Sequence, residues 1–247
     1  FKRLYYMYML AGVLMLAFVI IEIFNSKKWV KKTIVSFHVL ITCLFVLHTL
    51  GLIVRWYISG HAPWSDAYES MIYVAWATML FTLLFGFPYP IWFLLISKSI
   101  LKKSYLTIAA GTFVSSMILM IAHWSWMDPS IGNLQPVLNS YWLMIHVAVI
   151  VMSYGPFTLA MVLGLISLFL MIFTNEKNKE KMKLNIDEIT YINELALTIG
   201  LVLLTIGNFL GGQWANESWG RYWGWDPKET WALISIMVYA FVIHMRF

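Results

Sequence analysis

The stretch YWLMIHVAVIVMSYGPFTLAMVLGLISLFLMIF, residues 141–173, contains no Asp, Glu, Lys or Arg. A helix needs about 20 consecutive apolar residues to cross the hydrocarbon core of a bilayer, and this stretch is longer. It therefore predicts a transmembrane helix. The Gly155-Pro156 pair in its middle predicts a tilt or a kink.

The whole chain has the composition of a polytopic membrane protein. Its 247 residues are 61% hydrophobic and 12% charged, whereas a soluble domain carries about 25% charged residues. We therefore predict an all-α polytopic membrane protein with about seven transmembrane helices in one domain, 1–247. Pro88 and Pro90 predict a kink or break in the third helix. The apolar segments span 4–24, 34–58, 67–97, 104–122, 140–173, 194–211 and 230–247.

Basic residues are concentrated in alternate loops. Lysines cluster in 27–32, 98–103 and 177–183, and Arg246 is the last basic residue. Positively charged loops stay on the cytoplasmic side of a membrane, so these segments are predicted to lie inside. The net charge of +5 therefore indicates membrane orientation and no nucleic-acid partner. The first helix then begins outside at Phe1, which is not Met, and the chain stops beside Arg246. Both features predict truncation at the two ends.

Tryptophans are concentrated on the opposite, outer side. An ordinary aromatic belt decorates both interfaces of a membrane. The asymmetry therefore indicates an outer site for an aromatic or planar ligand. Ten of the 13 tryptophans fall there: Trp56, Trp64, Trp124, Trp126, Trp142, Trp214, Trp219, Trp223, Trp225 and Trp231.

The densest aromatic run is WGRYWGWDPKETW, residues 219–231, in a tryptophan-rich outer loop expected at 212–230. Its second half predicts a helix start, because Asp226 suits the N-cap, Pro227 the first helical position and Glu229 the third. This start is compatible with any function.

The first half of the run has two interpretations. If residues 214–225 are helical, then Trp219, Tyr222, Trp223 and Asp226 share one face. Trp225 adds another indole, and the two cations Arg221 and Lys228 can pair with the carboxylates of a flat macrocycle. A platform for a planar ligand and dense interface packing are both consistent with this pattern.

Histidines supply candidate axial ligands for iron. His146 lies about six residues inside the outer end of the fifth segment. His244 lies 13 residues after Trp231, about 20 Å deeper along a helix, so the two histidines predict sites at different depths. His38 and His48 on the second segment are further possible ligands, ten residues apart and out of line on the helix. The outer His61 and His123 can each be an iron ligand, a pH-sensitive group or an ordinary loop residue.

Three stretches of the sequence resemble a known family. WGRYWGWDPKETWALI, residues 219–234, resembles the tryptophan-rich WWD signature of haem-handling membrane proteins. With Tyr222 in its middle and Lys228-Glu229 after the proline, it is most similar to the CcsA (ResC) family of System II cytochrome c biogenesis. YESMIYVAWA, residues 68–77, and LQPVLNSYWLMIHV, residues 134–147, are similar to two further stretches of that family.

The resemblance implies roles for particular residues. His146 would be an external axial ligand of haem b held against the tryptophan-rich loop, and His244 would be an intramembrane ligand. A second external histidine of the family would lie beyond the end of this chain. A CcsB (ResB) membrane subunit would complete the site of His244.

The resemblance also implies an activity. The chain would be the membrane subunit of a cytochrome c synthase in a bacterial cell membrane or, as an alternative, a thylakoid membrane. It would export haem and present it outside for thioether attachment to the CXXCH motif of apocytochrome c, acting as a synthase only together with its partner. The alternatives are a haem exporter without synthase activity and a structural or quinone-binding membrane subunit.

Overall fold

The computed structural model describes residues 1–24, 27–86, 104–124, 127–132, 140–176 and 178–245. Within these ranges all regular structure is helical, and each of the seven predicted segments corresponds to one helix. Pro88, Pro90, Trp126 and Arg246, and with them the expected kink in the third segment, lie outside the described residues. The helices are α1 (Lys2–Phe24), α2 (Lys28–Ser59), α3 (Ala67–Gly86), α4 (Tyr105–Trp124), α5 (Tyr141–Ile172), α6 (Lys179–Trp219) and α7 (Pro227–His244).

The lengths and compositions of these helices are those of an integral membrane protein. Among the described residues, α1 to α6 are each long and apolar enough to span a bilayer. Helix α7 has 18 residues, but its first turn is the polar Pro-Lys-Glu-Thr, which lowers its mean hydropathy. The prediction of an all-α polytopic membrane protein is confirmed.

Helix α6 is much longer than the predicted span 194–211. It runs for 41 residues from Lys179 to Trp219. Its early turns bury Met182, Ile189 and Ile192 on one side, while charged and polar residues occupy the other. A search for continuous apolar sequence finds only the part that crosses hydrocarbon, so it misses amphipathic turns of this kind.

Helices α3 and α4 form the centre of the bundle. Of their membrane-spanning windows 67% and 72% are buried, against 22% for α2. Helix α3 packs on α4 and α5, α4 on α1, α5 on α6, and α7 on α6. A Cβ on Gly155 would lie 2.8 Å from the carbonyl carbon of Ala77. Glycine therefore permits the close approach of α5 to α3, and α5 continues through Pro156.

Candidate functional site

The tryptophan-rich segment after α6 is a loop. Helix α6 ends at Trp219, and Gly220 takes the left-handed conformation (φ +68°) that often ends helices. Its N–H donates to the carbonyl of Asn216 at 2.9 Å and closes the last turn. Residues 221–226 are not helical. The shared aromatic face required 214–225 to be helical, and this condition is met only as far as Trp219, because Gly220 ends the helix.

Helix α7 begins with the predicted capping box. The Asp226 carboxylate accepts the N–H of Glu229 at 2.9 Å, and the Glu229 carboxylate accepts the N–H of Asp226 at 3.3 Å. The Glu229 carboxylate also accepts the N–H of Gly224 at 2.8 Å. The helix cap and the preceding loop therefore share one carboxylate, and the predicted helix start is confirmed.

Two aromatic residues of the loop turn toward α6. The Tyr222 hydroxyl donates to the carbonyl of Phe209 at 2.9 Å, and its ring fills the space beside Gly212, where a Cβ would lie 2.6 Å from ring carbons.

The Trp223 and Trp214 indole N–H groups are buried without a hydrogen-bond partner in the described part of the chain. A buried indole N–H usually finds an acceptor, so both donors suit the polar atoms of a bound ligand.

His146 is held in one orientation by glycines of α6. Its Nδ1 lies 2.7 Å from the carbonyl oxygen of Gly207. A carbonyl only accepts, so Nδ1 carries the proton, and in the neutral form of the ring Nε2 is the nitrogen that can bind a metal. A Cβ on Gly211 would lie 2.6 Å from Cε1 of His146, so only glycine leaves room for this ring. A metal-binding histidine typically has its second nitrogen fixed in this way.

Two cavities meet at His146. One, of about 330 Å³, lies under the loop and is lined by His146, Trp214, Trp219, Trp223 and Lys228, among others. The other, of about 650 Å³, lies between α5, α6 and α7. His146, Ile150, Lys228 and Ala232 line both cavities. Cavities of roughly 300–1,000 Å³ take small molecules and cofactors.

The larger cavity follows α5 and α7 toward the far end of the bundle. On α5 it reaches from His146 to Met161, about 22 Å at 1.5 Å per residue. On α7 it extends to Tyr239, whose ring stacks on Phe157 with centroids 3.9 Å apart. The cavity therefore connects the level of His146 with the interior of the membrane-spanning region.

The structure divides the residues predicted for the site in and beside the tryptophan-rich loop into two groups. Those that line the smaller cavity with His146 are Trp219, Trp223, Asp226 and Lys228. Those that lie beside the loop, outside the lining of both cavities, are Arg221, Tyr222 and Trp225. The Arg221 guanidinium lies 5.8 Å from the ring centroid of Trp219, so its charge is close to the site without entering it.

Sequence reasoning missed several residues of the cavities. Gly207 and Gly211 seat the histidine, Trp214 adds a second buried indole N–H, and Asn208 brings an amide into the smaller cavity. The sequence GNFLGG at 207–212 carries a signal for the first two, because glycines four apart in an apolar helix permit close approach of a neighbour.

The other histidines lie away from these cavities. His244 is exposed on α7, with Nδ1 2.7 Å from the carbonyl of Ala240. His38 is buried beside Tyr105, with ring centroids 6.2 Å apart. His48 is fully buried on α2, and its ring lies 5.6 Å and 6.0 Å from the rings of Phe1 and Tyr8.

The two surface histidines have structural contacts. His123 makes contacts through both ring nitrogens: Nδ1 lies 2.8 Å from the carbonyl of Leu119 and Nε2 lies 3.2 Å from the hydroxyl of Tyr68. His61 lies 3.2 Å from the carbonyl of Ala62 through Nδ1. These contacts hold both side chains against neighbouring parts of the protein.

A charged network braces the same end of the bundle. Glu69 is fully buried in the first turn of α3 and accepts from Arg55 Nε at 2.7 Å and from the N–H of Ser65 at 3.1 Å. Arg55 also donates to the carbonyls of Pro129 and Ser130 at 3.1 and 3.4 Å. The network therefore ties α2 and α3 to the 127–132 segment.

Two smaller groups of contacts extend this bracing. Hydrogen bonds from Ser130 lower the pKa of Asp128 below its ordinary value. The Trp64 indole N–H donates to the carbonyl of Met144 at 3.1 Å. This contact ties the 60–66 segment to the first turns of α5, two residues before His146.

These features define a class of protein. It is an all-helical integral membrane protein with a histidine and several indoles around a cavity at one end of the bundle. The model of the family described as "Cytochrome C assembly protein" matches residues 64–247. This chain belongs to that family, and a general role in cytochrome c biogenesis follows from the membership.

Individual relatives agree with this assignment. Protein NrfI of Wolinella succinogenes is 49% identical over 212 residues, which cover 86% of this chain and 22% of that protein. Cytochrome c biogenesis protein CcsA of Prochlorococcus marinus is 34% identical over 96% of this chain and 79% of that protein. CcsA of Chlamydomonas reinhardtii is 37% identical over 81% of this chain and 54% of that protein. The resemblance to CcsA is confirmed, while the chain spans less than a quarter of NrfI.

Proposed function

We propose that this chain is the haem-handling membrane subunit of a cytochrome c synthase. In this proposal residues 1–247 form one haem-handling transmembrane domain, and the 212–230 segment faces the outer side of a bacterial cell membrane. The observation that carries the proposal is the orientation of His146. Its Nδ1 is bound to the carbonyl of Gly207, which leaves Nε2 as the nitrogen that can bind iron, and the residue lines both cavities.

The residues of the smaller cavity fit haem b. An imidazole is a common axial ligand of haem iron, and indole faces suit a flat macrocycle. The unpartnered N–H groups of Trp214 and Trp223 can donate to the polar edge of the ligand. Lys228 lines both cavities, and Arg221 lies beside Trp219. Either cation can pair with a propionate.

The larger cavity supports a path from the inner side to His146. It extends along α7 to Tyr239, five residues before His244. We propose that His244 binds haem at this deeper level and that the cavity between α5 and α7 leads from there to the outer site. Helix α7 has no buried side chain among its described residues, which leaves space for a CcsB (ResB)-type subunit to complete the site of His244.

Attachment of haem to a CXXCH motif requires the protein to position the haem more than it requires acid–base catalysis. When bound, haem offers vinyl groups to the two thiols of a CXXCH motif and an axial position to its histidine. Asp226 and Glu229 both line the smaller cavity, and both carboxylates are engaged in the capping box. The contribution of the chain is therefore to orient the macrocycle and fix its edge against the apocytochrome c, an entropic form of catalysis.

The test is an absorption spectrum of the full-length protein purified with a ResB-type partner. His146→Ala is expected to reduce haem per protein at the outer site, and added imidazole is expected to restore part of it. His61→Asn is the matched control, since His61 lies at the same end but outside both cavities. An unchanged haem content in His146→Ala would remove this histidine from the site.

Co-expression with an apocytochrome c separates the remaining alternatives. Covalent haem on the CXXCH motif, lost in His146→Ala, supports the synthase. Haem bound to the membrane protein without covalent product supports an exporter that delivers haem to another factor. Purified wild-type protein without a haem Soret band under reducing conditions would support a structural or quinone-binding subunit.

A further inference from the structure

The bend in the tryptophan-rich loop depends on one carboxylate. Residues 221–225 make no backbone–backbone hydrogen bond within the described part of the chain. The Glu229 carboxylate oxygen Oε2 instead accepts two backbone N–H groups, from Gly224 at 2.8 Å and from Asp226 at 3.3 Å. Hydrogen bonds to an ionised acceptor are the stronger kind, so Glu229 is the main restraint on this part of the backbone.

The residue between these two amides has an unfavourable conformation. Trp225 has φ +57° and is the single non-glycine residue with a positive φ among those described. This left-handed region costs free energy for an L-residue with a bulky side chain, and it persists only where surrounding contacts enforce it. The two bonds to Glu229 flank Trp225 and supply that enforcement.

The bend sends the two neighbouring indoles in different directions. Trp223 lines the smaller cavity and its N–H is buried, whereas Trp225 is 69% exposed and lines neither cavity. Their rings meet edge to face, with centroids 5.6 Å apart and planes at 87°. If residues 224–226 relaxed to a right-handed conformation, Trp223 and Trp225 would change their relative orientation.

Two other contacts anchor the chain on either side of the bend. Tyr222 is fixed separately through its bond to the carbonyl of Phe209. On the other side, α7 has its own N-cap from Asp226 to the N–H of Glu229. Between these anchors, Trp223 is held through the backbone at 224–226. The Arg221 guanidinium lies beside Gly224, in the space that a Cβ would take.

We infer that Glu229 is a positioning residue for the cavity: its carboxylate holds the 224–226 bend and thereby keeps Trp223 in the lining of the smaller cavity, which it shares with His146. This inference rests on the proposed function for its ligand, haem, but its geometric part can be tested without haem. Glu229 also lines the smaller cavity, but in this role it acts through the loop backbone.

The first experiment measures backbone hydrogen exchange in the haem-free protein in detergent. Glu229→Ala is expected to accelerate exchange of a peptide covering 221–226 by about tenfold, because two hydrogen bonds to a charged acceptor are lost. Glu229→Gln keeps an acceptor oxygen and should preserve most of the protection. Glu217→Ala is the matched control, since Glu217 is an exposed carboxylate near the end of α6. Exchange of the 233–244 peptide reports whether α7 remains folded.

The second experiment measures haem retention and the Soret spectrum of the same variants, purified with the partner subunit. Glu229→Ala is expected to lose several-fold more haem than Glu229→Gln. Replacing Trp225 by glycine in the Glu229→Ala background removes the cost of the left-handed conformation. The double variant should therefore recover part of the haem, which a purely structural role of Glu229 does not predict.

The outcomes distinguish this inference from the proposed function. Unchanged exchange of 221–226 in Glu229→Ala, with α7 intact, would show that the carboxylate does not hold the bend. Faster exchange with unchanged haem retention would show that the bend does not position the cavity, while the haem site itself would stand. A wild-type protein that binds no haem would overturn the proposed function, whereas the exchange experiment on the haem-free protein would still decide whether the Glu229 carboxylate holds the bend.

Discussion

Gly211→Ala should disturb His146 while leaving the protein folded. The new Cβ would lie 2.6 Å from Cε1 and 2.9 Å from Nδ1 of His146, so the ring must move and its bond to Gly207 weakens. Overpacking destabilises the fold by about 1–3 kcal/mol, and loss of the hydrogen bond between His146 and Gly207 costs about 1 kcal/mol more. Alanine has a higher helix propensity than glycine, which offsets about 1 kcal/mol of this cost. The net destabilisation of about 1–3 kcal/mol is less than a typical stability of about 5–15 kcal/mol.

The effect on the ligand should be larger than the effect on folding. Disrupting the partner that orients a metal-binding histidine typically costs about 10–100-fold in affinity. We therefore expect Gly211→Ala to accumulate in the membrane with little haem, measured as Soret absorbance per protein after purification with the partner subunit.

A matched glycine on the neighbouring helix serves as the control. A Cβ on Gly164 would meet Asn193 Nδ2 at 3.6 Å, an ordinary contact, so Gly164→Ala should keep both haem and stability. Normal haem content and an unchanged Soret spectrum in Gly211→Ala would refute the reasoning, because His146 would then not bind iron from its present position.

Two further predictions concern the loop and the charged network. Trp223→Ala should lower haem occupancy several-fold at unchanged protein level, measured by Soret absorbance against an immunoblot; disappearance of the protein would instead support a packing role for this indole. Glu69→Gln should destabilise the protein by about 1–3 kcal/mol in a thermal melt in detergent, because it removes the closer of the two acidic partners of the largely buried Arg55 and leaves Asp66, at 3.9 Å, as the other. The exposed pair of Glu176 and Lys179 provides the comparison, and Glu176→Gln should cost less than about 1 kcal/mol.

The sequence predicted the helices well because the bilayer imposes a simple rule on them. A helix in hydrocarbon must be apolar for about 20 residues, so α1 to α5 follow from composition alone. The start of α7 was predictable from local chemistry, since the capping box is written in four consecutive residues, 226–229. The full length of α6 was not, because its amphipathic turns at 179–193 contain no continuous apolar run.

The site was predictable in its residue types but not in its arrangement. His146 and the tryptophans follow from the sequence, but the Gly220 conformation that separates Trp219 from Trp223 does not, because a glycine in an aromatic run is compatible with either helix or turn. The seat formed by Gly207 and Gly211 depends on the register of α5 against α6, which arises from packing between residues about 60 positions apart. Local sequence signals carry no information on that register.

The C-terminal end of α6 contributes to both halves of the site. Its glycines orient the histidine of α5, its Phe209 carbonyl anchors Tyr222, and its C-terminal turn leads directly into the loop that Glu229 bends. The histidine is thus placed by contacts between helices, while the indoles are placed by a short loop. Gly211→Ala and Glu229→Ala therefore perturb the two halves of the site independently. If both halves hold the same planar ligand, the variant with both substitutions should lose more affinity for that ligand than either single variant. If the halves hold separate ligands, each substitution should change a different feature of the absorption spectrum.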